Sequence, residues 1–205
     1  MSEIINLVLL TEVFVTLFVI MDPPGTIPIF LSLTSGRSQA TVRRAAWQAV
    51  LVSFFVIVTF ALFGQGILSY MHISLPALQG AGGLLLLLVA LELLTGNEKE
   101  PSAGQDVNVA LVPLGTPLLA GPGAIVATML FSREVDNVAA FTALALGIIL
   151  VHVSIWLAMR FSVRILKVIK ESGVVLVTRI AGLLLSAIAV QMVADSVRAF
   201  ATGEG

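Results

Sequence analysis

Cysteine is absent from all 205 positions. Its absence excludes disulfides, thiolate chemistry and cysteine-ligated metals, and leaves the compartment open on that count. Charge is scarce too: Asp, Glu, Lys and Arg make up 11% of the chain, against about one-quarter in soluble domains. With a formal net charge of −1 and little basic clustering, nucleic acid is excluded as a partner. The start, Met1-Ser2-Glu3, has no basic region, and the apolar run behind it is too long for a leader. It reads as a retained first span. Nucleophile triads, phosphate-cradling loops, haem ligand sets and metal clusters are all missing from the motifs. The expectation is a protein that is no enzyme and carries neither cofactor nor metal.

What fills the chain instead is apolar sequence: 58% of residues are hydrophobic and mean hydropathy is +1.07. That composition places the chain in a lipid bilayer. One stretch interrupts the first long run: Asp22-Pro23-Pro24-Gly25-Thr26-Ile27-Pro28. A proline inside a helix lacks an amide donor and clashes with the preceding turn, at a cost of about 3 kcal/mol. An acid at bilayer centre costs about 2.5–3.5 kcal/mol on insertion scales. Broken backbone and buried charge persist in a membrane only where protein or a water-filled cavity satisfies them. The event recurs as Ala120-Gly121-Pro122-Gly123-Ala124-Ile125, with Gly123 98 residues after Gly25. Paired breaks in two halves of a chain mark a transporter site.

Spans of about 20 apolar residues fit at 5–33 (interrupted), 42–68, 75–94, 110–131 (interrupted), 138–159 and 174–200. The predicted fold class is therefore an all-α integral membrane protein of six transmembrane helices, the first and fourth broken near the midplane. Repeat one covers about 1–95, a linker about 96–109, and repeat two about 110–205, together one membrane domain. Three spans per half is an odd number, so the second half enters the bilayer inverted. The third spans match best: Gly82-Gly83-Leu84-Leu85-Leu86 against Ala181-Gly182-Leu183-Leu184-Leu185, an offset of 99 that sets Glu92 opposite Gln191. The middle spans show no convincing match. Small-residue faces such as Gly80-Ala81-Gly82-Gly83 suit packing between repeats and a homo-oligomer contact alike.

These motifs resemble a known family. Asp22-Pro23-x-Gly25-x-x-Pro28-x-Phe30, then Pro113-Leu114-x-x-Pro117-x-x-Ala120-Gly121-Pro122-Gly123-Ala124-Ile125, are similar to the two signature stretches of the MarC family. Arg179-Ile180-Ala181-Gly182-Leu183-Leu184-Leu185 through Gln191 matches as well. The similarity covers essentially all six spans. The resemblance implies a six-span protein of the bacterial or archaeal inner membrane. It also implies secondary transport of small neutral amino acids of the glycine and alanine type. An exporter or channel for another small solute is the alternative reading.

The residues support a site independently of the family. Thr26 suits a cap for the segment after the first break, and Pro122 suits the first helical position after the second. Two helix N-termini near the midplane, each with free amides and roughly +0.5 charge, would take a substrate carboxylate. Carbonyls ending the leading segments, together with Asp22, would take its ammonium. Asp22, Pro23, Gly25, Thr26, Ala120, Gly121, Gly123 and Ala124 are the candidate binding residues. Asp22 is open to three roles: holding the amine, carrying a coupling proton, or capping a helix. The coupling ion (proton or sodium) stays open, since half-helix carbonyls could equally hold sodium. Glu92, His152, Arg179 and Gln191 are candidates for coupling or gating; the plainer readings are an Arg179–Glu92 ion pair and a hydrogen-bonded His152. Trp47 and Trp156 read as interfacial anchors, and Thr178 as an interhelical hydrogen-bonding residue.

Orientation follows from basic residues. The first, third and fifth connections carry Arg37, Arg43, Arg44, Lys99, Arg160, Arg164, Lys167 and Lys170; the opposite side carries Arg133 and Arg198. Eight against two predicts both termini outside. Because the wild type has no cysteine, single cysteines at Ser35, Ser102 and Ser172 should resist an impermeant thiol reagent in intact cells. Cysteines at Ser74, Asn137 and Thr202 should label, and the reverse pattern would invert the topology.

Overall fold

The computed structural model describes residues 5–34, 36–95 and 119–203. These form seven helices: α1 Leu7–Met21, α2 Thr26–Leu33, α3 Gln39–Tyr70, α4 Leu75–Thr95, α5 Pro122–Arg133, α6 Val138–Arg160 and α7 Ser162–Thr202. Four stretches are long and apolar enough to cross a bilayer: α3, α4, α6 and the Ser172–Thr202 part of α7. At 15 residues α1 is about 22 Å long, short of the roughly 30 Å hydrocarbon core. The linker 96–109 and the leading part of the fourth predicted span, 110–118, lie outside the described residues.

Local signals set most boundaries. The Asn6, Ser38 and Asn137 side chains accept from the Leu9, Thr41 and Ala140 amides, capping α1, α3 and α6. Asp22 ends α1 in the left-handed region (φ 39, ψ 70), where its own amide still reaches the Phe18 carbonyl. Gly121 precedes α5, with Pro122 at the first helical position as expected. One boundary needs correcting. The predicted connection 160–173 is largely helical, because Val163, Ile165 and Val168 alternate with Arg164 and Lys167 in a helix-compatible pattern. Only Lys170 leaves helical geometry, at φ 60 and ψ 167.

Contacts between ends fix which connections share a face. The Asn6 amide donates to the Ala139 carbonyl (3.3 Å), and the Ser196 hydroxyl to that of Pro76 (2.7 Å). Gln65, Ser69, Leu75 and Arg133 line one small recess of about 100 Å³ at that same end. At the other end, Trp47 and Trp156 meet edge to face, 6.4 Å between centroids. The helices therefore alternate in direction as the short connections require.

The tightest seam runs between α4 and α7. A Cβ on Gly83 would come within 2.8 Å of the Ala189 carbonyl, and one on Gly182 within 3.2 Å of the Ala90 carbonyl. Leu86, Ala90, Leu185 and Ala189 are fully buried along this seam. A second core gathers Val13, Leu17, Phe30, Ala46, Ile57, Ala124, Val151 and Ile155 from α1, α2, α3, α5 and α6. Around the seam, α1 packs on α6, α3 on α5 and α6, and α5 on α4.

Gly83→Ala should lower the melting temperature, at a cost of about 1–3 kcal/mol, because the new methyl meets backbone that cannot swing aside. Gly66 faces open space, so Gly66→Ala should be neutral or stabilise by up to about 1 kcal/mol through helix propensity. Thermal unfolding of the two variants in detergent compares them directly.

Candidate functional site at the helix breaks

Proline chemistry builds the first half of the site. A continuing helix would bond the Val19 and Ile20 carbonyls to the amides at positions 23 and 24. Both are proline and have none. The end of α1 thus presents free carbonyls and the negative pole of its dipole. The chain recovers helix within four residues: the Thr26 amide donates to the Asp22 carbonyl (3.0 Å) and the Ile27 amide to that of Pro24 (3.1 Å). The expected cap by Thr26 is not made. Thr26 is itself the first residue of α2, and its hydroxyl donates backwards to the Pro23 carbonyl at 2.7 Å.

Asp22 is buried, with 6% of its surface exposed, and neither carboxyl oxygen has a hydrogen-bond partner among the described residues. It leans over Gly25, so that a Cβ there would collide with Oδ2. The same hypothetical Cβ lies 3.2 Å from the Thr178 hydroxyl of α7. Thr178 is 7% exposed and its hydroxyl is likewise unpartnered. The Gly25 amide and Thr178 hydroxyl face the carboxylate, yet both fall short of hydrogen-bond geometry. A buried carboxylate and a buried hydroxyl left open side by side are costly. Sequence reasoning assigned Thr178 to interhelical bonding; its one signal was a hydroxyl inside the last apolar span.

Pro23, Gly25 and Thr26 are buried with Asp22, and Ala120, Gly123 and Ala124 are buried at the second break. Ala120 and Ala124 belong to the same core as Met21 and Phe30, and α5 packs on α1. Gly121 stands at the start of α5 without a side-chain cap hydrogen bond. Gly123 has a packing reason of its own: a Cβ there would strike Leu86 of α4.

A family model for MarC family integral membrane proteins matches residues 7–201. The chain belongs to the MarC family. A UPF0056 membrane protein of Methanocaldococcus jannaschii is 36% identical, over 90% of this chain and 94% of its own. One from Aquifex aeolicus is 34% identical, covering 93% of each chain. The UPF0056 membrane protein YhcE of Escherichia coli is 30% identical, over 93% and 92%. No solved structure matches. The chain is a multi-pass integral membrane protein, and these relatives are named as membrane proteins.

The remaining MarC candidates lie apart from Asp22. His152 is buried between α6 and α3; its Nδ1–H donates to the Ile148 carbonyl (2.7 Å), which fixes Nε2 as acceptor for the Ser53 hydroxyl (3.3 Å) in the neutral ring. Phe54 packs edge-on against it at 5.3 Å. This is the structural alternative for His152, and Ser53 was the partner the sequence did not reveal. The Arg179–Glu92 ion pair is not formed: both residues are exposed, and among the described residues none bridges them. Glu92 sits about 200° round α4 from Ala90 on the seam, and Arg179 about 100° round α7 from Thr178. Gln191 donates to both oxygens of Asp195 at 2.9 Å, and Asp195 approaches Arg198 at 3.8 Å. Beyond the C-terminal end of α5, burial and the neighbouring Glu12 raise the Glu134 carboxyl above the ordinary glutamate range. A cavity of about 520 Å³ between α3 and α6, lined by Phe54, Leu62, Phe141 and Ile148, is too apolar for a zwitterion.

Gly25→Ala should displace the Asp22 carboxylate. We expect a lower melting temperature, by about 1–3 kcal/mol, together with loss of ligand binding. Wild-type affinity in this variant would mean that the carboxylate position is irrelevant to the site.

Proposed function

We propose that this MarC protein is a secondary transporter of small neutral amino acids, not an enzyme, working by alternating access and driven by a proton or sodium gradient. The observation that carries the reading is the buried, unpartnered Asp22–Thr178 pair at a helix break. A packing kink has no use for two open polar groups, whereas a binding site does. Gly25, lacking a side chain, lets the Asp22 carboxylate lie against the break, and the uncapped start of α5 offers amides to a substrate carboxylate.

The six-span inverted repeat belongs to the same proposal, with the chain in the inner membrane and both termini outside. Exchange of the halves at an offset of 99 supports it. Gly83 approaches the Ala189 carbonyl and Gly182 the Ala90 carbonyl; adding 99 to Gly83 and Ala90 gives Gly182 and Ala189. Ser53 and His152, which bond each other, are also 99 apart. Residues related by a two-fold axis meet in this reciprocal way. The middle spans, silent as sequence, thus add a match in packing. Alternating access then needs only the rocking of one half against the other around the breaks.

Proteoliposomes loaded with unlabelled glycine or alanine should accumulate the labelled amino acid transiently by counterflow, with saturation. Uptake should respond to an imposed proton or sodium gradient. Equilibration of solute without trans-acceleration would point to a channel, and inactivity towards every amino acid would defeat the transporter reading.

A further inference from the structure

We propose that Asp22, Thr178 and the free carbonyls ending α1 form an oxygen-lined site for a compact monovalent cation. The cation is either an alkali ion or the ammonium group of a bound amine. The inference deepens the transport reading and rests on it only for the amine.

Three observations carry it. The carboxyl oxygens of Asp22 and the hydroxyl of Thr178 are more than nine-tenths buried and unpartnered. Both groups lie against Gly25, the carboxylate where a Cβ would stand and the Thr178 hydroxyl 3.2 Å from that point. Pro23 and Pro24 deny amides to the Val19 and Ile20 carbonyls, so further oxygen acceptors end one turn away. The set is rich in acceptors, with one hydroxyl and one amide as nearby donors. An anion would find a carboxylate and the negative pole of α1; a neutral solute would leave the charge uncompensated. A cation answers each open oxygen at once. Other titratable groups do not interfere: Arg179, one residue from Thr178, is exposed, and no ion pair to Asp22 occurs among the described residues.

The geometry also assigns a consequence. Asp22 belongs to the break between α1 and α2, whereas Thr178 belongs to α7. A cation held by both would tie the first break to the α4–α7 seam, so that occupancy and helix position are linked.

The test is thermal unfolding of the purified full chain, followed through Trp47 and Trp156 at constant ionic strength. Sodium, potassium and choline chlorides are compared first, then methylammonium and glycine in choline. We expect sodium or the amines to raise the melting temperature of the wild type. A response to sodium identifies an alkali-ion site; a response to methylammonium and glycine alone identifies an ammonium site. Asp22→Asn should abolish the response, and Thr178→Val should weaken apparent cation affinity about tenfold. Thr202→Val, outside the site, should leave it intact. If neither cation class stabilises the wild type, or if both site variants respond as the wild type does, the proposal is overturned. Glycine counterflow persisting without any cation response would leave transport standing and remove the site. Cation stabilisation without counterflow would do the reverse.

Discussion

The close approach of α4 and α7 is the constraint on which the other placements depend. Gly83 and Gly182 let each helix rest against the other's backbone, at Ala189 and Ala90. Lipid supplies no hydrophobic drive for helices to associate, so dispersion over closely approached backbone has to hold them. That contact fixes the rotation of α7. Rotation of α7 in turn decides that Thr178 faces the first break and that Arg179, one residue on, does not. Leu86 on the same seam meets the start of α5 at Gly123, so the second break is registered against the seam as well.

A seam built this way leaves polar groups somewhere, and here they collect at Asp22. The left-handed Asp22 and the two prolines after it stop α1 before it can span the membrane, and α2 restarts at Thr26. The Asp22, Pro23 and Pro24 carbonyls are satisfied by short bonds within the break. The carboxylate and the Thr178 hydroxyl are not. Elsewhere the interior is well satisfied: His152 uses both nitrogens, and Ser196 reaches Pro76. Among the described residues, open buried side-chain groups are confined to this one place, which gives the site its chemical meaning.

Much of this was legible in the residues and some was not. The second, third, fifth and sixth spans, the first break and Pro122 at the start of α5 follow from apolar length and proline chemistry, and the helices agree with them. The predicted connection 160–173, most of which lies within α7, did not, since charged residues within a helical pattern look like a loop when only hydropathy is counted. Thr26 looked like a cap because Ser and Thr favour that position, yet the helix begins one residue earlier than a cap would allow. The match between middle spans escaped notice because Ser53 and His152 share no chemistry as letters; only their contact relates them.

By itself, the sequence determined what depends on neighbours along the chain: apolar length, missing cysteine and charge, and the amides that Pro23 and Pro24 cannot supply. The tertiary structure decided what depends on rotation and crossing of helices. Each residue turns a helix by about 100°, so a one-residue difference separates buried Thr178 from exposed Arg179, and a two-residue difference turns Glu92 away from Ala90. A string of letters does not carry that angle relative to a neighbour. Packing of glycine against backbone carbonyl sets it.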